Sequence, residues 1–171
     1  MIHPPVPPDE AARQAALDGY AVVDTPPEQA FDDLTRLAGE ICGVPTALVT
    51  FIDRDRLWVK SRHGPAAAET PREVSFCGYT ILGTDILLVP DTHADHRFHD
   101  NPLVSGDPRL RFYAGTPLLT PEGHALGSLC VLDQVPRALT PGQLEALAAL
   151  GRQVVAQLEL RRAARALEAE R

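Results

Sequence analysis

At 171 residues the chain is long enough for one globular domain with a sizeable core, and 44% hydrophobic with 23% charged residues is the composition of an ordinary soluble protein. A formal net charge of −7 and a pI near 5.3 exclude the basic face that nucleic-acid binding requires and oppose attraction to an anionic membrane surface. No apolar run is long enough to span a bilayer, and the N-terminal "MIHPPVPPDEAARQ" lacks the basic-then-apolar pattern of a signal peptide. The three cysteines, Cys42, Cys77 and Cys130, are widely spaced with no C-x-x-C pair. They fit reduced thiols in a cytoplasmic protein.

The first eight residues carry four prolines and are expected to be extended and mobile. Residues 9–18, "DEAARQAALD", are good helix formers that Gly19 would stop. In "TPPE", Thr25 and Glu28 have the spacing of a capping box. The helix that follows has Phe31, Leu34, Leu37, Ala38 and Ile41 on one face and ends at Gly43 and Pro45. "TALVTFID" is apolar at nearly every position, which predicts a central strand buried on both faces. "DRDR" turns the chain into "LWVKSRH", where Leu57 and Val59 take one face and Trp58, Lys60 and Arg62 the other. Residues 63–73 read as loop, "SFCGYTIL" as a short helix, and "DILLVP" as a strand closed by Pro90.

"DTHADHRFHDNPLVSGDPR" is a long polar connection, the kind that is often functional in a compact domain. "LRFYAGTPLL" and "HALGSLCVLD" form a hairpin across the turn "TPEG", with proline second and glycine fourth. Thr140 and Gln143 open a final helix with a second capping box. Its stripe is Leu144, Leu147, Leu150, Val154 and Leu158. At about 1.5 Å per residue, thirty residues span roughly 45 Å, more than the width of such a domain. The tail, residues 161–171, is therefore expected to overhang the core and to need a partner, most simply the same helix of a second copy. The order of elements predicts an α+β domain in which an antiparallel sheet carries helices on one face and loops on the other.

Three groups of side chains invite chemistry. Cys77, set in "VSFCGYTIL", reads either as a reactive thiol or as a small apolar residue lining a wall. His93, His96 and His99 alternate with Asp91, Asp95 and Asp100, but three-residue spacing on a helix spreads ligands over about 120°. A solvated loop rather than a metal site is expected there. Lys60 is a candidate anion contact if the Trp58 face lines a pocket, and Phe112, Tyr113 and Gly115 are candidates for pocket wall and close backbone approach. No P-loop, H-E-x-x-H or G-x-S-x-G pattern occurs.

Taken together, "YAVVDTPPEQAFDDLTRLAGEICGVPTALVTFIDRDRLWVKSRHG", "TPREVSFCGYTIL", "LVPDTHADHRFHDNPLV", "RFYAGTPLLTPEGHALGSLCVLD" and "LTPGQLEALAALGRQV" resemble the GAF domain family. The resembling subgroup is found at the N-terminus of bacterial sensor histidine kinases and diguanylate cyclases. The resemblance covers residues 20–160. It leaves 1–19 as an extension with a short helix and 161–171 as the overhang. It implies a central antiparallel sheet of five to six strands. The N- and C-terminal helices would pack on one face, and loops and short helices would cover a ligand pocket on the other. Trp58, Lys60, Phe76, Cys77, Thr80, Asp91, Phe112, Tyr113 and Gly115 are then the pocket candidates.

The function implied is a non-enzymatic sensor. It would bind a small molecule, pair as a homodimer through its terminal helices and act on a downstream kinase or cyclase. No cofactor is specified, and neither nucleic acid nor membrane is an expected partner. No kinase or cyclase motif occurs in the 171 residues, so the chain is either a stand-alone domain or part of a longer sensor. Two alternatives remain. One resembles free methionine-R-sulfoxide reductase, where a segment like "FCGYT" holds a cysteine. That enzyme also needs a thiol in the loop after Pro90, which this chain lacks, and Cys42 and Cys130 fall in a predicted helix and strand. Without a second thiol no disulfide cycle closes. The other is a bilin-binding GAF domain, which usually shows a Cys-His pair, whereas Cys77 precedes Gly78.

Overall fold

The computed structural model describes residues 1–171. The predicted central strand, β1 (Thr46–Asp53), is buried at all eight positions. It pairs with β2 (Arg56–His63) on one side and β6 (Ala125–Asp133) on the other. The hairpin partner of β6 is β5 (Phe112–Leu119). Two three-residue strands close the edges, β3 (Glu69–Pro71) beside β2 and β4 (Leu87–Val89) beside β5. The result is a six-stranded sheet in the order β3-β2-β1-β6-β5-β4, antiparallel throughout. Edge strands this short offer little template for pairing with another chain. β3 lies within the stretch expected to be loop; its residues have no alternating pattern, and only pairing with β2 makes them a strand.

Helices α1 (Glu10–Tyr20), α2 (Gln29–Cys42) and α5 (Pro141–Ala169) cover one face. Ala47, Val49, Phe51, Ala114, Leu129 and Val131 point toward them from alternate strand positions. α5 begins with the predicted capping box: Gln143 N–H donates to Thr140 Oγ1 and the Gln143 side chain accepts from the Thr140 N–H. It crosses β5 closely, because a Cβ on Gly151 would lie 2.6 Å from Thr116 Cγ2. Leu147, Val154 and Leu158 are buried, while Leu160 and Leu167 are exposed. The short helices α3 (Cys77–Thr80) and α4 (Pro102–Ser105) and the long connections lie over the opposite face.

Four local expectations are corrected. Thr25 and Glu28 form no capping box: α2 starts at Gln29 without a side-chain cap, and both side chains are drawn instead to the Lys60 ammonium. The register between β1 and β2 slips, Val49 facing Ser61 but Thr50 facing Val59. Lys60 is thus the extra residue of a bulge, which turns Lys60 and Ser61 to the helix side and moves Arg62 to the face of Leu48. α1 runs through Gly19 to Tyr20 and ends at Ala21, in the left-handed region at φ 49°. It is also built into the core. The buried Arg13 guanidinium bonds the carbonyls of Ile52 at 2.8 Å and Ala125 at 3.3 Å, and its Nε reaches Glu10 at 2.7 Å. The first residues are extended but tied, with Tyr79 OH donating to the Ile2 carbonyl and the N-terminal ammonium meeting Asp100.

Candidate functional site

The loop-side face of the sheet carries a cavity of about 520 Å³. Its floor is Leu48, Leu57, Val59, Tyr113, Cys130 and Leu132, and α3 contributes Phe76 and Cys77. Pro65 to Ala67 and the segment from Leu103 to Leu110 form the rim. The only charged side chains that line it are Asp107 and Asp133, and Asp133 is bonded by the Arg137 guanidinium and by the Gln134 N–H. No lysine, arginine or histidine reaches the wall.

Two devices hold this site in place. In the first, the Ser75 hydroxyl donates to the Arg72 carbonyl at 2.7 Å and accepts from the Gly78 N–H at 3.1 Å, which turns the chain into α3. In the second, the long connection drives Phe98 under α3. Its ring stacks on Phe76 with centroids 4.0 Å apart and meets Tyr79 edge-on at 5.2 Å. Such pairs contribute about 0.5–1.5 kcal/mol each beyond burial. Asn101 completes the fastening by capping α4 and donating to the Val74 carbonyl at 3.0 Å.

At the inner end of the cavity the Cys77 sulfur sits in a nest of donors. Thr50 Oγ1 and Tyr113 OH each donate to it at 3.3 Å, Ser128 Oγ lies 3.0 Å away, and Cys130, two residues beyond Ser128 on the same face of β6, lines the same cavity. Tyr113 OH also meets Thr80 Oγ1 at 2.6 Å. Burial alone would push the Cys77 thiol up, but the neighbouring Cys130, Ser128, Thr50 and Tyr113 outweigh it and hold it below its ordinary value. Cys130 is pushed up, first by the neighbouring Cys77 and then by burial. Burial, with the neighbouring charge of Cys77, likewise raises the Tyr113 phenol. Gly115 makes the arrangement possible: a Cβ there would fall 2.2 Å from Tyr113 OH, so only glycine leaves room for that ring to lie along the strand.

The structure thus brings Phe76, Cys77, Thr80, Tyr113 and Gly115 together around the cavity and its nest. It places the other candidates elsewhere. Trp58 and Lys60 lie on the opposite, helix-covered face of β2, where Trp58 stacks with Phe51 at 6.4 Å. Lys60 Nζ is bonded to Glu28 at 2.5 Å, Pro26 O at 2.7 Å and Thr25 Oγ1 at 2.8 Å, so it is no anion contact for the cavity. Phe112, one residue before Tyr113, points into the helix-side core. Asp91 caps the turn at His93 N and pairs with Arg111 at 3.1 Å at the surface. His93, His96 and His99 are exposed, and no group of three or more His, Cys, Asp or Glu side chains is placed to hold a metal ion.

Thr50, Ser128 and Cys130 were missed from sequence. Their signal was small polar or thiol side chains within otherwise apolar strands, Thr50 in "LVTFI" and the i, i+2 pair Ser128 and Cys130 in "GSLCV". The loop after Pro90 holds no thiol, but strand alternation on β6 turns Cys130 to the cavity side, where it lines the same cavity as Cys77.

No helix is long and apolar enough to cross a membrane. In comparisons with known proteins, residues 26–158 match the family model of the GAF domain. A cyclic di-GMP phosphodiesterase of Pseudomonas aeruginosa is 44% identical over 137 residues, which are 80% of this chain and 23% of that protein. The chain therefore spans about a quarter of that relative's length. Because this relative is named for an enzymatic activity, the expectation of a non-enzymatic chain is withdrawn. Among solved structures, the blue-light absorbing form of the PixJ GAF domain from Thermosynechococcus elongatus superposes with a TM-score of 0.66 at 17% identity, covering 97% of this chain and 96% of that one. Free methionine-R-sulfoxide reductase from Neisseria meningitidis gives 0.65 at 18% identity, covering 96% and 98%. At such identities these two likenesses speak for the fold alone. The six-stranded antiparallel sheet, its helix layer and the family match over residues 26–158 agree: the chain belongs to the GAF domain family.

Proposed function

We propose that the domain is the sensory part of a protein of cyclic di-GMP turnover, and that it binds a predominantly apolar, uncharged or cationic small molecule in the cavity. The observation that carries this reading is the cavity itself: about 520 Å³, within the roughly 300–1,000 Å³ usual for ligand pockets, with carboxylates but no cation on its wall. A cyclic dinucleotide, with two phosphates, suits such a wall poorly. Cyclic di-GMP is therefore assigned to the output of the longer protein and not to this cavity. That output is suggested by the named activity of the Pseudomonas relative, in place of the kinase or cyclase expected from sequence.

The ligand would bias how two copies pair through α1, α2 and α5, in the cytoplasm, where buried free thiols persist. A coupling of about 1–3 kcal/mol suffices for such a switch. Native mass spectrometry and a probe titration test the two halves. A dimer is expected. The neutral fluorophore N-phenylnaphthylamine should bind the wild type better than its anionic sulfonate analogue, and binding should be lost in Val59→Arg. A monomer at every concentration refutes the pairing; preference for the anionic probe, or binding unaffected by Val59→Arg, refutes the ligand class.

A further inference from the structure

We propose that Cys77 and Cys130 form a reversible dithiol–disulfide site that responds to hydroperoxides entering the cavity. Both residues are buried and line the cavity, so a hydroperoxide that enters it lies beside them. They come from different elements, α3 and β6, that meet where Ser128 Oγ lies 3.0 Å from the Cys77 sulfur, and Cys130 is two residues beyond Ser128 on the same face of β6. The hydroxyls of Thr50, Tyr113 and Ser128 converge on Cys77 rather than on Cys130. That asymmetry assigns the roles, since hydroxyl donors stabilise sulfur as a thiolate, the nucleophilic form.

The chemistry balances with a hydroperoxide as the only oxidant. The Cys77 thiolate attacks the outer oxygen of the peroxide, the O–O bond breaks, and an alcohol or water leaves with one proton. Cys77 becomes a sulfenic acid and the peroxide is reduced by two electrons. The neighbouring Cys77 and burial both hold the proton on Cys130, and conversion of Cys77 to a neutral sulfenic acid weakens the first of these. Cys130 sulfur then attacks Cys77 sulfur, the S–S bond forms, the S–O bond breaks, and hydroxide leaves as water with the Cys130 proton. Two thiols and one hydroperoxide give one disulfide, one alcohol and one water. Exchange with a small-molecule dithiol reverses it. The bond would tie the roof helix α3 to the sheet at β6.

Cys42 serves as an internal control. It is buried in the helix-side core, and burial pushes its thiol up. The folded, reduced chain is treated with about one equivalent of hydrogen peroxide, alkylated and mapped by mass spectrometry. The expected result is a mass lower by about 2 Da, a Cys77–Cys130 linked peptide, and an alkylatable Cys42. Dithiothreitol should restore all three thiols. In Cys130→Ser the reaction should stop at a Cys77 sulfenic acid that dimedone traps. The mapping needs no variant, so a poorly folding mutant does not weaken the test. The proposal is overturned if Cys77 is oxidised no faster than Cys42. It is equally overturned if wild-type Cys77 proceeds to a sulfinic acid while Cys130 stays a free thiol.

Discussion

Replacing Glu28 by glutamine tests how the last helix is fastened to the sheet. The Lys60 side chain is 0% exposed and Glu28 is its only carboxylate partner. The same carboxylate accepts from Arg161 Nε at 3.0 Å, and Arg161 also donates to the carbonyls of Tyr20 and Ala21 at 3.0 Å. Glu28 thus joins the β2 bulge, the α1–α2 connection and α5 where that helix leaves the core. Removing one partner of a buried ion pair costs about 3–5 kcal/mol. Here Glu28 is 37% exposed, the amide can still accept one bond, and Thr25 and Pro26 still hold the ammonium. The expected cost is therefore about 2–3 kcal/mol. For a chain of this length that corresponds to a drop in Tm of about 4–12 °C, read by thermal and urea unfolding. The loss is attributed to an uncompensated buried charge, so the double variant Glu28→Gln/Lys60→Met should recover at least about half of it. A double variant no more stable than the single one would refute the reasoning, as would a Glu28→Gln protein within about 0.5 kcal/mol of wild type.

Further outcomes follow from the same structure. Gly115→Ala sets a Cβ 2.2 Å from Tyr113 OH, so the ring must leave the nest; a cost of about 1–3 kcal/mol is expected, with slower alkylation of Cys77 at neutral pH. Partial burial alone would raise the Glu10 carboxyl, but bonds from Arg72 and Arg13 outweigh it and bring it from its ordinary 4.5 to about 2. Because the folded value is the lower one, the stabilisation is present above the ordinary value and is lost as pH falls between 4.5 and about 2. It amounts to at most about 3 kcal/mol, and Glu10→Gln should flatten acid unfolding in that window. Leu167→Glu, at an exposed position of α5, should weaken the proposed dimer by about tenfold or more without changing monomer stability, as sedimentation equilibrium would show.

The layout of the sheet and helices was legible because local patterns decide it. "TALVTFID" is apolar at nearly every position, which marks a central strand, and Thr140 with Gln143 marks the start of α5 without reference to anything distant. The site was legible only in part. Tyr113, Cys77, Phe76, Thr80 and Gly115 sit in segments whose sequence carries the family resemblance. Lys60 was misplaced because the Trp58 face of β2, which alternation correctly assigns it, lies under the helices and not on the cavity, while the bulge takes Arg62 off that face. A bulge depends on register with β1, and nothing in "LWVKSRH" encodes that register alone. Thr25 and Glu28 failed for a related reason: a capping box is a local bargain, and a buried ammonium from β2 is a stronger partner for both oxygens than a helix N–H. Cys130 was set aside because a strand position was taken to be inert. In fact a strand buried on both faces has a cavity side, and alternation from Leu129 and Val131, which face the helices, puts Cys130 there.

That alternation also indicates how the two faces of the sheet can communicate. Tyr113 and Cys130 enter the cavity, while their immediate neighbours Ala114, Leu129 and Val131 form the bed beneath the helix layer. A change in how the cavity wall is occupied, by a ligand or by a Cys77–Cys130 bond, is thus one residue away from the seat of α5. α5 itself is held unevenly. It is pressed against β5 at Gly151 and Thr116, and it is pinned again by Arg161 through Glu28 to the buried Lys60. Beyond Arg162 its residues are exposed. Close-packed contacts shift between discrete arrangements rather than deforming smoothly. A displacement of β5 and β6 would then be passed on at Gly151 and resisted at Arg161. Under the proposed sensory role, the exit direction of α5 would be set by the competition between those two contacts, and Glu28→Gln would then alter the response to ligand as well as stability.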